Sequence, residues 1–478
     1  MRLLILTHRY LGIGVSLLMV TWCLSGVVMM YVAYPHLSQS QRLAALPRLE
    51  LRACCQEGDA APIRPDARIN DIRVEMVGPR AIAELASADG RDVIDLKTGK
   101  QVHFAIDQAA TVAGRLAALA KAPAAFEATE LIQDDQWTVS GDFGRDRPLY
   151  RFSLVDPART DLYVSSTTGR AVQMTTRNER LWNWFGAVPH WVYFTALRRH
   201  PALWNWFIVI TSTLGCFLTV LGIVIGVQQL RRRPSNRFTP YRGFMMWHHI
   251  PGVIFGGFAL AWVLSGLLSM NPWGLLESEG PNSEFERMRG TSPTWRELQS
   301  ALRNLAVAAP LEGMVSLQSA NLDGRLFFIA AFGDGRRIRV DADGLPAPMN
   351  SDVAALESRL ISGGSNGAPH LMNSADNFYF SHHGQTVAFP VYRLLLSDSD
   401  ATRYYLDAVS GEIVMKIDSA TRGYRWLHEA LHRLDFSEAL RRRPTWDILM
   451  LILLSGTTVV CGTGLYAAIR RVSGASRE

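Results

Sequence analysis

The stretch WHHIPGVIFGGFALAWVLSGLLSM, residues 247–270, decides the fold because it is a long apolar run that begins with two histidines. An apolar run of about 20 residues crosses the hydrocarbon core of a bilayer as a helix. Other runs in the chain reach this length. The sequence therefore predicts a membrane protein with four transmembrane helices, at residues 10–34, 204–230, 247–271 and 446–469.

Two long polar stretches separate the spans, and each is large enough to form a domain. We expect an integral membrane all-α four-helix bundle of two parallel span–domain–span repeats, with two α+β domains outside the membrane. The expected divisions, in chain order, are a first helix (1–35), a first outer domain (36–200), a second helix (201–230), a linker (231–242), a third helix (243–271), a second outer domain (272–444), a fourth helix (445–470) and a tail (471–478).

The linker RRRPSNRFTPYR, residues 231–242, contains five arginines and no acidic residue. Short basic loops stay on the cytoplasmic side of a membrane, so we expect the linker and both termini there and both outer domains on the other side. No cleavage site follows the first span, which predicts a retained anchor. The net charge of +6 then reflects this topology, with membrane lipid as the expected partner and no nucleic acid.

The chain contains an internal repeat. With a shift of 240 residues, the pattern H-x3-G-x9-W-x-L-S-G-x3-M of residues 8–30 recurs at residues 248–270. The two halves begin and end on the same side, which predicts a pseudo-twofold axis along the membrane normal. The Ser-Gly pairs of the pattern suit close helix packing. With a shift of 242 residues, three positions before the second span recur before the fourth: Trp184 with Trp426, His190 with His432 and Phe194 with Phe436.

The repeat sorts four histidines into two pairs at opposite faces of the membrane. His8 and His248 lie at the cytoplasmic ends of the first and third spans, and His190 and His432 lie at the other face, just before the second and fourth spans. Two imidazoles at one level suit a six-coordinate haem, whose iron takes two axial nitrogens, whereas zinc requires more ligands. The sequence therefore predicts two haem sites. The alternative ligands are the unmatched His249 and His428.

Arginines follow the outer histidines by about two helical turns, in the motifs LRRHP and LRRRP. At this depth arginines form charge-assisted pairs with haem propionates or anchor a helix at lipid headgroups, and both interpretations stay open. The arginines concerned are Arg198, Arg199, Arg441, Arg442 and Arg443.

The segment NFYFSHHGQTVAFPVYRLLLSD, residues 377–398, has no counterpart in the first half. Its adjacent histidines, His382 and His383, are candidates for a substrate-facing or metal-facing site near the outer haem. The other interpretation is a pair of histidines in a turn before a strand. No metal site is expected at Cys54 and Cys55, because no second cysteine pair lies nearby.

Short motifs recur in the two halves in the same order: HRYLG and HHIPG open the first and third spans, LSG lies within both, and TTGRAV and VSGEIV end strand–turn–strand units. Together with EALHRLDF before the fourth span, they resemble the PepSY-associated transmembrane family, which includes iron-regulated membrane proteins and ferric-siderophore reductases. The resemblance covers essentially the whole chain. It implies a bacterial inner-membrane protein with PepSY-like α+β modules in the periplasm. In the reductase members it also implies b-type haems held by span histidines, and the matching positions here are His8, His190, His248 and His432.

No nucleotide-binding fingerprint is present, so electrons would come from a quinol or from a separate cytoplasmic donor. The expected function is an inner-membrane electron conduit with two haem b groups, an oxidoreductase that reduces a periplasmic ferric siderophore or other iron chelate. Hard oxygen chelators hold Fe(III) better than Fe(II), so one electron releases the metal. The alternative is a haem-free membrane anchor that binds or inhibits a periplasmic protease. A transporter is disfavoured, because the spans contain no acidic residue except Asp447 at a helix mouth.

Overall fold

The computed structural model describes residues 1–51, 63–88, 90–232, 238–308, 311–362, 368–382 and 386–474. Within these ranges, four helices are long and apolar enough to cross a membrane, one at each predicted span. The helices in chain order are α1 (Arg2–Met29), α2 (Gln39–Ala45), α3 (Ile106–Leu119), α4 (Arg177–Asn183), α5 (Ala187–His190), α6 (Thr195–Arg198), α7 (Pro201–Arg231), α8 (Phe244–Ser269), α9 (Asn282–Arg289), α10 (Trp295–Leu305), α11 (Ser351–Ser362), α12 (Ser419–Tyr424), α13 (Leu431–Arg433), α14 (Glu438–Arg441) and α15 (Thr445–Val472), with a π-helical turn (Arg425–Ala430) before α13.

The spans form a bundle in which α1 and α8 lie on one diagonal and α7 and α15 lie on the other. α1 packs against α7 and α15, and α8 packs against the same two helices. Small or polar residues such as Ser16, Gly215 and Thr457 are buried inside, whereas large apolar residues such as Leu17 and Ile254 are exposed. This distribution is typical of helices in lipid, where close backbone approach holds the helices together because lipid is as apolar as the side chains.

The remaining elements include β-strands, which form three antiparallel sheets across the described residues. The strands are β1 (Ile69–Val77), β2 (Arg80–Ser87), β3 (Gly90–Asp95), β4 (Phe126–Ile132), β5 (Leu149–Leu154), β6 (Asp161–Ser165), β7 (Ala171–Thr175), β8 (Met314–Ser319), β9 (Phe327–Phe332), β10 (Arg337–Asp341), β11 (His370–Met372), β12 (Val391–Leu395), β13 (Arg403–Asp407) and β14 (Ile413–Ile417). Two sheets have four strands, in the orders β4-β5-β6-β7 and β11-β12-β13-β14, and the third has the order β10-β9-β8-β1-β2-β3.

The two four-stranded sheets repeat each other and confirm the predicted strand–turn–strand units. The pairing of β6 with β7 slips after Tyr163, and the pairing of β13 with β14 slips after Tyr405, 242 residues later. The turns close through Gly169 and Gly411, whose φ angles of 69° and 78° would strain any other residue. The sequence repeat therefore extends to the details of the backbone.

The six-stranded sheet is built from both halves of the chain. β1 pairs with β8, with Val74 opposite Leu317, so each outer stretch contributes three strands. Its apolar core includes Leu298 and Leu302 of α10. The predicted all-α fold class is therefore wrong: the chain as a whole is α+β, with three sheets beside the bundle. Hydrogen bonds between distant strands make this shared sheet, and the apolar pattern of one stretch does not indicate which distant strand it pairs with.

Short helices lead into α7 and α15 and connect the sheets to the bundle. Each approach begins with a capping box, at Thr176 before α4 and at Asp418 before α12. α5 then packs on α1, and the π-helical turn and α13 pack on α8. These contacts lie at the sheet end of the bundle, where α1 ends. The opposite end, where α7 ends and α8 begins, is the linker end.

Candidate functional site

At the linker end, two imidazoles face each other across the bundle. The ring centres of His8 on α1 and His248 on α8 are 6.3 Å apart, with their planes inclined by 43°. Nδ1 of His8 donates to the carbonyl oxygen of Leu218 at 3.0 Å, and Nδ1 of His248 donates to that of Val460 at 3.1 Å. A carbonyl only accepts, so the proton lies on Nδ1 and the lone pair on Nε2 of each ring. Leu218 and Val460 are 242 residues apart, so the two arrangements are repeats of each other.

Two glycines make room for these rings. A Cβ built at Gly222 of α7 would lie 2.9 Å from Cε1 of His8, and a Cβ at Gly464 of α15 would lie 3.3 Å from Cε1 of His248. The first contact would force the ring or the helix to shift, and the second would require the ring to give by a few tenths of an ångström. Each imidazole therefore lies in a slot formed by a neighbouring helix, and the two glycines are again 242 residues apart.

At the sheet end, the second pair has the same design. The ring centres of His190 on α5 and His432 on α13 are 6.0 Å apart, with their planes inclined by 74°. Nδ1 of His190 lies 3.0 Å from the hydroxyl of Ser25, and Nδ1 of His432 lies 2.9 Å from that of Ser265. Each serine hydroxyl donates its own hydrogen to a carbonyl of its helix, so it accepts from the imidazole. Nε2 is again the nitrogen that carries the lone pair.

The Ser-Gly pairs do more than the close packing that the sequence predicted. Ser25 and Ser265 orient the histidine rings, and the glycines that follow them lie against the rings. A Cβ at Gly26 would lie 3.6 Å from Cε1 of His190, and one at Gly266 would lie 4.0 Å from Cε1 of His432. The signal was present in the sequence, because the repeat preserves the Ser-Gly pair and the histidine together.

The chain turns sharply after each histidine of the sheet end. Val192 and Leu434 have positive φ angles of 50° and 55°, and each lies two residues after its histidine. A non-glycine residue in this region costs about 1–2 kcal/mol. Both halves therefore keep the same strained conformation next to the imidazole.

The two unmatched histidines have other partners. His249 is 6% exposed, and both of its ring nitrogens are engaged, with the hydroxyl of Thr239 at 2.8 Å and the carbonyl oxygen of Gly226 at 3.0 Å. It cannot bind iron without losing one of these bonds. Nδ1 of His428 donates to the carbonyl oxygen of Ser265 at 2.8 Å, and its ring centre lies 5.4 Å from that of His432. His428 is thus a neighbour of the sheet-end pair.

Most of the outer arginines contact protein groups. Arg198 lies over the rings of Tyr193 and Trp204, at 5.2 Å and 4.6 Å from their centres. The other outer arginines have these partners: Arg199 pairs with Asp134 at 2.8 Å, Arg442 with Glu438, and Arg443 with Asp447 at 3.7 Å. Arg441 resembles Arg198 in lying against an aromatic ring, 3.9 Å from the centre of Phe380. Nε of Arg198 and Nη1 of Arg441 are both shielded from solvent without a hydrogen-bond partner in the described part of the chain.

His382 lies beside this arginine. Its Nδ1 is 3.0 Å from Nη1 of Arg433 and 3.8 Å from a carboxylate oxygen of Asp435, and its ring centre is 4.5 Å from that of Phe380. Burial, reinforced by the charge of Arg433 and opposed by Asp435, lowers the pKa of His382 to about 4. The ring is therefore neutral at pH 7. The other candidate histidine, His383, lies outside the described residues, as do Cys54 and Cys55, where no metal site was expected.

Both histidine pairs fit axial ligation of haem iron. A metal held between two imidazole nitrogens at about 2 Å from each places the ring centres about 6 Å apart, and the observed separations are 6.3 Å and 6.0 Å. Haem iron takes its other four ligands from the porphyrin, so two imidazoles complete its coordination. The described residues contain no group of three or more histidine, cysteine, aspartate or glutamate side chains that could hold a bare metal ion.

A bundle of four spans with a histidine pair at each end, joined to antiparallel sheets, defines a multi-span membrane protein of mixed α and β structure. The sequence matches the family described as PepSY-associated TM region over residues 5–471. The chain belongs to this family, which confirms the resemblance carried by its motifs. Among curated proteins, none matches the sequence.

Proposed function

We propose that this protein is an electron conduit of the bacterial inner membrane, with two haem b groups, that reduces a periplasmic ferric siderophore or similar iron chelate and releases Fe(II). The observation that carries the proposal is the facing pair of imidazoles at each end of the bundle. His8 and His248 would hold one haem, and His190 and His432 would hold the other. Bound haem supplies one-electron redox chemistry.

The hydrogen bonds at Nδ1 prepare the histidines for this role. In all four rings Nδ1 is bonded to a carbonyl or to a serine hydroxyl, which leaves Nε2 as the basic nitrogen. Such partners fix the tautomer and the orientation of a ligand histidine and raise its basicity. The protein thus presents ligands before any cofactor binds.

The bundle separates the two pairs and surrounds the space between them with apolar groups. From His8 to Ser25, which contacts the second pair, α1 rises about 25 Å at about 1.5 Å per residue. This is most of a hydrocarbon core of about 30 Å, so the pairs lie near opposite faces of the membrane. A buried cluster of Met19, Cys23 and Val263 packs between the two levels. The electron would therefore cross an interior that is packed with apolar side chains at this level.

The arginines of the linker support the direction of transfer. A short basic loop favours the cytoplasm, which assigns the linker end to that side and the sheets to the periplasm. A quinol or a cytoplasmic donor would then deliver electrons near His8 and His248. The ferric chelate would receive them near His190 and His432, on the side where the sheets offer a binding surface. This reaction makes the protein a ferric-chelate reductase.

The visible absorption spectrum of the purified full-length protein tests the proposal. We expect two haems per polypeptide and sharp α and β bands after reduction with dithionite. His248→Ala should lower the content to one haem, His432→Ala should also lower it to one, and the double variant should bind none. His103→Ala, at an exposed histidine outside the bundle, is the matched control and should keep two.

A wild-type protein without visible bands would refute the proposal and favour the haem-free anchor. Two haems retained in both single variants would refute the ligand assignment, even if the protein reduced iron. Reduction of a ferric siderophore by protein in sealed vesicles, with the electron donor supplied on the opposite side, then tests transfer across the membrane.

A further inference from the structure

The two halves differ at the sheet-end histidines, although the repeat relates them. On the first-half side the residues around His190 are neutral, whereas their repeat mates around His432 are charged. Applying the shift of 242 residues gives the pairs Asn183 with Arg425, Trp191 with Arg433 and Tyr193 with Asp435. One side of the pair is therefore aromatic and the other side is charged. A site present in only one half has chemistry that the symmetric core does not share.

The charged side contains a contiguous group of donors. Arg433 follows His432 directly and contacts His382, whose ring packs against Phe380. The guanidinium of Arg441 stacks on the same Phe380 ring. We call Arg433, Arg441 and His382, gathered around Phe380, the basic cluster. Arg433 is exposed, so the cluster is open to solvent on one side.

The charges of the cluster are not balanced. Asp435 is bonded to Arg425 at 2.7 Å, with both side chains buried, and Glu429 lies 3.9 Å from the same arginine. Neither Arg433 nor Arg441 forms an ion pair with a carboxylate within the described ranges. Asp435 is already engaged by Arg425, so Arg433 and Arg441 keep their positive charges available to an anion. A guanidinium N–H that is shielded from water without an acceptor is costly, so a ligand that supplies the acceptor is stabilised there.

The free polar atoms of the cluster are donors. Arg433 can only donate, so Nδ1 of His382 accepts from it and the proton of the neutral ring lies on Nε2. Arg441 offers the N–H groups of Nη1, and Arg433 offers those that His382 does not use. Several N–H donors with an excess positive charge suit a carboxylate, whose two oxygens accept in the fork geometry that arginine prefers.

The repeat mate of Arg441 is also an arginine stacked on aromatic rings with a shielded nitrogen, but no second arginine lies at the position that corresponds to Arg433. Arg198 lies between the aromatic rings of Tyr193 and Trp204, and the mate of Arg433 is Trp191. The aromatic side is typical of a membrane-interface surface, where indole and phenol rings are favoured. An anion would therefore meet the sheet-end histidines from the second-half side.

We propose that the basic cluster is a carboxylate-binding site beside His432. This deepens the proposed function, on which it rests for the identity of the neighbouring group. A carboxylate can come from two sources, a propionate of haem held by His190 and His432 or a carboxylate of an arriving iron chelate. The donor set is the same for both, and the source is decided by experiment.

The test uses the full-length protein in detergent, with Arg433→Gln and Arg441→Gln as variants. Arg359→Gln, which removes an exposed guanidinium of α11, is the matched control. The first measurement is the midpoint potential of the sheet-end haem, read by redox titration in the His248→Ala background without any chelate. The second is the affinity for citrate, read by isothermal titration calorimetry. Arg441→Lys keeps the charge and checks that a change in Arg441→Gln is not a folding defect.

A propionate source predicts a lower midpoint potential in both glutamine variants, because removing a positive charge favours Fe(III), with the lysine variant close to wild type. A chelate source predicts that citrate binds about tenfold more weakly to the glutamine variants. Unchanged potential and unchanged citrate affinity would overturn the proposal, as would equal changes in Arg359→Gln. Citrate binding does not require haem, so the calorimetric measurement still tests the carboxylate-binding site if the haem assignment fails. A wild-type protein that binds neither haem nor citrate would overturn the proposal.

Discussion

Replacing Gly222 by alanine tests whether its slot holds an iron-binding imidazole. A Cβ at this position would lie 2.9 Å from Cε1 of His8, about half an ångström inside the normal carbon–carbon contact of about 3.5 Å. The ring cannot simply slide away, because its Nδ1 is held 3.0 Å from the carbonyl oxygen of Leu218. The alanine therefore displaces the ligand or weakens the bond that fixes its tautomer.

The expected loss follows from these contacts. Overpacking costs about 1–3 kcal/mol, and a weakened hydrogen bond costs about 0.5–1.5 kcal/mol. Together these costs are about 1.5–4.5 kcal/mol. A cost near the lower end, about 2 kcal/mol, already lowers the affinity for haem at the linker end about 30-fold. Alanine is a better helix former than glycine by about 1 kcal/mol, so the helix itself is not weakened. Gly14→Ala, where no atom lies within 4 Å of the new Cβ, is the matched control.

The assay is haem titration of the purified protein in the His432→Ala background, where His8 and His248 form the remaining pair. We expect weaker binding in Gly222→Ala, a smaller loss in Gly464→Ala, where the contact is 3.3 Å, and no loss in Gly14→Ala. Haem binding by Gly222→Ala that equals that of Gly14→Ala would show that the slot does not position a ligand.

Ser265→Ala removes the hydroxyl that accepts from Nδ1 of His432, and should weaken haem binding at the sheet end about tenfold at a cost of about 1–2 kcal/mol. In the same haem titration Ser16→Ala, at a buried hydroxyl without a partner in the described residues, should have no effect. His249→Ala should keep two haems per polypeptide but lower the Tm, since both ring nitrogens hold neighbouring segments together; loss of a haem would contradict this. Burial raises the pKa of Glu357 to about 8, so the folded state prefers the protonated acid and loses stability as the pH rises from about 4.5 through 8. Glu357→Gln should abolish this loss of stability, measured as the Tm at pH values across that range. An unchanged pH dependence of the Tm would contradict the raised pKa of Glu357.

Much of the membrane part could be predicted from the sequence. The length of the apolar runs determines the spans, because a helix that crosses lipid must satisfy its backbone internally and present apolar side chains. The strand–turn–strand units were also visible, since Gly169 and Gly411 recur at the same place in each half. Both features depend on residues close together in the chain, which is why sequence patterns carry them.

The environment of the histidines was harder to predict. The repeat indicated which histidines correspond, but no sequence pattern indicates which groups form hydrogen bonds with their ring nitrogens. Leu218 acts through its backbone carbonyl, which every residue possesses, so its side chain gives no signal. The outer arginines were predicted as one group, yet Arg199 pairs with Asp134, a residue 65 positions earlier, whereas Arg441 is left without an ion-pair partner among the described residues.

The sequence alone determined that the chain crosses a membrane, that it is duplicated and that histidines occupy matching places in the two halves. Tertiary structure decided that strands of the two halves join in one sheet, so that the chain is α+β, and that glycine slots and Nδ1 bonds hold the imidazoles about 6 Å apart. The physical reason is the distance along the chain between the residues that interact. Apolar length and repeat spacing are local properties of the chain, whereas strand pairing and ring orientation depend on backbone groups more than 150 residues away.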